Sequence, residues 1–192
     1  MNHRRLHRLS DSDACAEIAD GKKWLEDVVS SAVVSFCYPG GKYTDKTRGM
    51  VASAGFLGAR TCEFNLLAAP SDPFRWGVST QAYSHGLLHA LRHNSITGSL
   101  NYLMVSRLAQ DWETHFIRSL DWVEAKGGIA HLYIHSWETD ELGQWKKLER
   151  VLANAAARSR LIPVSNGVLF ANWHRWREQA MACAANPSYR RT

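Results

Sequence analysis

Residues 135–138 set an imidazole, a hydroxyl, an indole and a carboxylate in consecutive positions, as His135, Ser136, Trp137 and Glu138. An imidazole can donate or accept a proton near neutral pH, and an indole offers a flat apolar face. The cluster follows Gly127, Gly128 and the apolar and aromatic run IAHLYI over residues 129–134, which suits a strand. A strand that stops in such a burst of chemistry reads as one wall of an active site, with His135 as the candidate catalyst. The competing reading is a hydrogen-bonded structural histidine. His131 falls on the same strand face as His135, since an even separation preserves the face; a core-facing or covered role suits it better.

Other groups are weaker candidates. His85, His89 and His93 recur every four residues on one side of a predicted helix. The glutamate of a metal-binding H-E-x-x-H is absent, so a solvent-facing stripe is the better reading. Cys37 could serve as a thiol nucleophile with His135 as its base, although a buried strand cysteine is common. The four cysteines, Cys15, Cys37, Cys62 and Cys183, are scattered without a C-x-x-C pair. That is neither a zinc-ribbon pattern nor a dense disulfide framework.

Composition narrows the class. The chain has 192 residues, 45% of them hydrophobic and 21% charged, as in an ordinary globular protein. Net charge is +5, but the basic residues gather at the two ends and no nucleic-acid fold signature accompanies them, so no nucleic-acid partner is expected. No apolar run approaches the roughly 18 residues of a membrane span. The basic start has no apolar stretch behind it, so it does not read as a signal peptide, and a cytoplasmic location is the default expectation. Oligomeric state is not legible.

The elements that must position these groups alternate. Helices are predicted over 10–29, 44–54, 84–93, 100–110, 112–126, 141–159 and 168–185. Strands are predicted over 32–38, 56–61, 77–80, 129–135 and 161–164, with a long loop over 62–76. Strand, loop and helix in repeated order imply an α/β fold with parallel strands. Reactive groups in such folds collect at the C-terminal strand ends, here Tyr38, Pro39 and Gly40, then Arg60, His135 to Glu138, and Asn166.

Three segments, FCYPGGKY (residues 36–43), GART (58–61) and LYIHSWE (132–138), resemble the polysaccharide deacetylase (NodB-homology) family in order and spacing. The resemblance spans His3 to about Gly167. Phe36 to Gly41 match the family's F-R-x-P-x-G type segment, and Leu132 to His135 match its last motif, an apolar strand ending in histidine. The resemblance implies a distorted (β/α) barrel over residues 1–167, here without its first strands, followed by a C-terminal helix and basic tail over 168–192. It implies a metal-dependent hydrolase that removes acetyl groups from carbohydrate, cleaving amide carbon–nitrogen bonds other than peptide bonds. His135 would be the general acid, and Tyr38, Pro39, Gly40, Arg60, Trp137 and Glu138 would bind the sugar.

The family's divalent metal, with zinc the expected one, is held by an aspartate of an F-D-D-G-like motif and by two histidines of H-[ST]-x-x-H. No F-D-D-G occurs in this sequence. His3 matches the second metal histidine, so the chain is expected to be truncated inside that motif and incomplete as an enzyme. Cys37 stands where many relatives carry an arginine, a charge that Arg60 is the nearest candidate to replace. The alternative to an enzyme is an inactive remnant of the same fold that binds a glycan or a partner.

Overall fold

The computed structural model describes residues 4–82 and 111–173, together with Arg175. The predicted helices over 84–93 and 100–110, most of the predicted helix over 168–185, and His3, His85, His89, His93 and Cys183 lie outside the described residues. The described elements, in chain order, are α1 (Asp11–Val29), β1 (Ser35–Cys37), α2 (Asp45–Ser53), β2 (Gly58–Arg60), β3 (Thr80–Gln81), α3 (Trp112–Lys126), β4 (Leu132–Tyr133), α4 (Ser136–Glu141), α5 (Trp145–Ala156) and α6 (Asn166–Ala171). Helices mixed with small parallel sheets make the class α/β, as the alternating pattern implied. Packing divides the chain into two compact units: residues 1–62, 70–76 and 164–192 form one, and residues 63–69 and 77–163 form the other.

In the first unit the helices expected from residues 10 and 44 begin with side-chain caps. Ser10 accepts from the Asp13 amide to start α1, and Thr44 with Thr47 closes a capping box on α2, each worth about 1 kcal/mol. Gly55 follows α2 at φ +82°. The helices pack Ala14, Ile18 and Val51 against Tyr38, Phe56 and Ala59, while Val28 of α1 is exposed. Strands β1 and β2 run parallel in the register Ser35 to Gly58, Phe36 to Ala59 and Cys37 to Arg60. Trp76 extends this ladder as a parallel bridge to Arg60. The predicted strand over 161–164 is not a strand: Pro163 has no N–H to give a ladder, and Ile162 and Val164 are exposed.

The second unit is built on α3, whose Phe116, Leu120 and Val123 are buried at the predicted helical spacing. Trp112, Phe116 and Leu120 enclose Val151 of α5. Arg150 grips Glu113 through two hydrogen bonds of 2.7 and 2.6 Å, and Lys147 reaches Asp111 at 2.6 Å, so charge pairs line the same α3–α5 seam. Strands β3 and β4 pair in parallel, Thr80 with Leu132 and Gln81 with Tyr133. Thr80 Oγ1 also lies 2.6 Å from Nδ1 of the buried His115, which ties the sheet to α3. The strand expected over 129–135 is shorter than predicted, and the helix expected over 141–159 is divided. Gly143 at φ +61° sits just past the end of α4, where a left-handed residue closes a helix.

Candidate functional site

The positions expected to do chemistry fall in both units. His135, Trp137 and Glu138 belong to the second; Tyr38, Pro39, Gly40 and Arg60 belong to the first.

His135 does not end a strand, as the sequence suggested, but caps a helix. Its backbone is extended at φ −107° and ψ 124°, while its carbonyl accepts from the Thr139 amide at 3.0 Å and from Thr139 Oγ1 at 2.9 Å. That position hands the chain directly from β4 into α4, so Trp137 and Glu138 are helical residues wrapped back toward the imidazole. Glu138 Oε2 lies 3.4 Å from His135 Nδ1. On the opposite side of the ring, Tyr133 Oη lies 2.7 Å from Nε2. Both nitrogens are therefore engaged. A carboxylate can only accept, so the Glu138 contact is a hydrogen bond in the tautomer with Nδ1–H; Nε2 of that neutral ring accepts from the phenol, and in the imidazolium it donates to it.

Ring contacts fix the imidazole further. The Tyr133 ring meets it edge-on, with centroids 4.8 Å apart and planes at 76°. The Trp137 ring lies 5.5 Å away at 36° and is 58% exposed. The His135 side chain is 38% exposed and that of Glu138 23%, so the histidine is open to solvent while its carboxylate is partly covered. Tyr133 packs against the buried Phe64 and Val78, which anchors the phenol. The sequence reading passed over Tyr133. The signal was available, because a residue two positions before His135 on a strand shares its face.

In the first unit the PGG turn is tightly specified. Gly40 and Gly41 both have positive φ, +63° and +67°, and a Cβ on Gly41 would lie 2.5 Å from Cys62 Cβ. The Tyr38 phenol is turned into the core, 1% exposed, and its hydroxyl donates to the Phe74 carbonyl at 3.1 Å. Burial drives its pKa upward. Tyr38, expected to bind the sugar, is thus buried here, its ring stacked 4.8 Å from Tyr43. Pro39 and Gly40 are the accessible residues there.

Arg60 Nη2 donates to Cys37 Sγ at 3.3 Å. Cys37 is exposed, not buried in its strand, and no base stands beside it in that contact. Burial pushes the Cys62 thiol up, against the pull of Arg60 and Lys42.

Among the described residues, no three His, Cys, Asp or Glu side chains converge to hold a metal ion. The described residues alone therefore do not fit a catalytic zinc, which takes about three protein ligands. No helix among them is long and apolar enough to cross a membrane.

No curated protein and no solved structure matches the chain. The family model described as polysaccharide deacetylase matches residues 1–59. That match takes in His3 and the PGG turn, and stops before Arg60 and well before His135. For its first 59 residues the chain is similar to the polysaccharide deacetylases.

Proposed function

We propose that this chain carries part of a carbohydrate deacetylase, a hydrolase that releases acetate from acetylated amino sugars, with His135 as the general acid. The observation that carries the reading is the His135 cluster: a solvent-open imidazole oriented by Glu138 at Nδ1, beside an exposed indole. A departing amine must gain a proton as its carbon–nitrogen bond breaks, and a positioned imidazolium supplies one, typically for a factor of about 10² to 10⁴ in rate. Glu138 at Nδ1 orients the ring. Trp137 offers a face to the apolar side of a sugar ring. In the first unit, Pro39, Gly40 and Arg60 would contribute to binding the sugar. The family match over residues 1–59 supports the substrate class.

A distorted (β/α) barrel and dependence on a divalent metal, zinc by expectation, belong to the same proposal. His3 would be one metal ligand.

The test is acetate release from an N-acetylglucosamine tetramer, with and without added zinc, for the native chain and His135→Ala. Release that falls about 10²-fold or more in the variant supports the assignment; equal release refutes the role of His135. A second reading is a glycan-binding domain without hydrolysis, for which the exposed Trp137 would suffice. Calorimetric binding of the tetramer with no acetate formed would establish that reading instead.

A further inference from the structure

We infer that Tyr133 is the terminal proton donor of the site, passing the His135 proton to the departing group. The inference rests on the deacetylase reading and deepens it.

A general acid must bring its proton to the leaving atom. The nitrogen of His135 free of the carboxylate is Nε2, and it is occupied by Tyr133 Oη at 2.7 Å. Glu138 faces Nδ1 at 3.4 Å, and Trp137 covers a ring face. No edge of the imidazole is left to deliver a proton directly without first displacing the phenol. The phenol is not a casual neighbour. Its ring packs on Phe64 and Val78, its backbone pairs with Gln81, and its edge-on contact holds the two rings together. A hydroxyl both donates and accepts, so it can take one proton while giving another.

The step balances as follows. Hydroxide has added to the acetamide carbon, giving a tetrahedral oxyanion, and His135 is an imidazolium with Nδ1–H toward Glu138 and Nε2–H toward Tyr133. As the carbon–nitrogen bond breaks, the departing nitrogen takes the phenolic proton. The phenolic oxygen takes the Nε2 proton in the same event. The products are the amine, acetic acid, a neutral imidazole and the restored phenol, with no net charge created.

The experiment compares Tyr133→Phe, His135→Gln and the double variant in acetate release from the N-acetylglucosamine tetramer. Phenylalanine keeps the packing on Phe64 and Val78 and removes only the hydroxyl. A relay predicts that Tyr133→Phe lowers kcat about 10²-fold with KM little changed, and that the double variant falls no further than His135→Gln, since the two act as a unit. Direct transfer from Nε2 predicts the reverse, an undiminished or faster Tyr133→Phe enzyme, and that result overturns the inference while leaving the deacetylase reading intact. If the native chain releases no acetate, the reading of function fails. The inference is then judged by the ¹⁵N resonance of His135 Nε2: a shift in Tyr133→Phe supports the hydrogen bond on which the relay stands, and coincident spectra overturn it.

Discussion

Alanine at Gly41 and alanine at Gly49 should move stability in opposite directions. Gly41 sits at φ +67°, where an L residue costs about 1–2 kcal/mol. Its new Cβ would also meet Cys62 Cβ at 2.5 Å, Sγ at 2.7 Å and the backbone nitrogen at 2.9 Å. The sulfur can rotate away, but the other two atoms move only with the chain that follows β2, and such overpacking costs about 1–3 kcal/mol. Together the loss is about 2–5 kcal/mol, a large share of the roughly 5–15 kcal/mol that holds a domain folded. At about 2–4 °C per kcal/mol for a chain of this size, Tm should fall by about 4–20 °C. Gly49 lies within α2, and a methyl added there would meet nothing within 4 Å, so the same substitution should add about 0.5–1 kcal/mol through helix propensity. Circular dichroism melts with urea titrations at constant m value decide the matter. A Gly41→Ala protein as stable as the native one, or two variants that shift alike, would refute the steric account of the PGG turn.

Three further outcomes are expected. Thr80→Val keeps the shape of a 2% exposed side chain and removes its hydrogen bond to His115; a loss of about 1–3 kcal/mol should appear in the urea midpoint, and a loss well below that range would deny that this contact fastens β3 to α3. Glu113 titrates below the usual carboxylate range because Arg150 bonds both its oxygens, and Asp111 ends below it too, since Lys147 and the Thr114 amide outweigh the upward push of burial. Folded values below unfolded ones mean stability present above about pH 4 and lost as pH falls through the lower folded values. Arg150→Gln should therefore flatten the acid limb of the Tm profile, and an unchanged limb would count against the pairing. Iodoacetamide near neutral pH should label the exposed Cys37 ahead of the half-buried Cys62, whose thiol is pushed up by burial; acetate release that survives labelling of Cys37 would dispose of a thiol mechanism.

What was legible in the sequence was what local chemistry decides. The caps at Ser10 and Thr44 are short-range hydrogen bonds, and the helices they open formed as expected. The α3 face of Phe116, Leu120 and Val123 follows from helical period alone, and all three are buried. Readings failed where a distant partner decides. Residues 161–164 have the composition of a strand but no partner ladder among the described residues. The PGG motif was legible as a turn. Its reason for a glycine at position 41, the approach of Cys62, was not, because that cysteine arrives from beyond β2.

The His135 cluster shows why a motif can be found correctly and still be misread. Alternation along a strand would send Glu138, an odd number of residues from His135, to the opposite face of the sheet, out of reach of the imidazole. The chain instead turns into a helix at His135, whose carbonyl is held by Thr139. Period 3.6 then brings residue 138 beneath residue 135, and the carboxylate reaches Nδ1. Tyr133 remains on the strand and keeps its period-two relation to His135, which places the phenol at the other nitrogen. Two different periodicities meeting at one residue put an acceptor on one side of the ring and a hydroxyl on the other. A strand carried on to residue 138 would leave Nδ1 without its carboxylate. A helix begun at residue 132 would place Tyr133 off the face of His135, since residues two apart do not face each other on a helix. Thr139→Val, which removes one of the two bonds to the His135 carbonyl and leaves the other, should therefore weaken the Glu138 contact before it disturbs Tyr133. The His135 Nδ1 and Nε2 resonances would report the two changes separately, and a variant that shifted Nε2 while leaving Nδ1 in place would refute this division of labour.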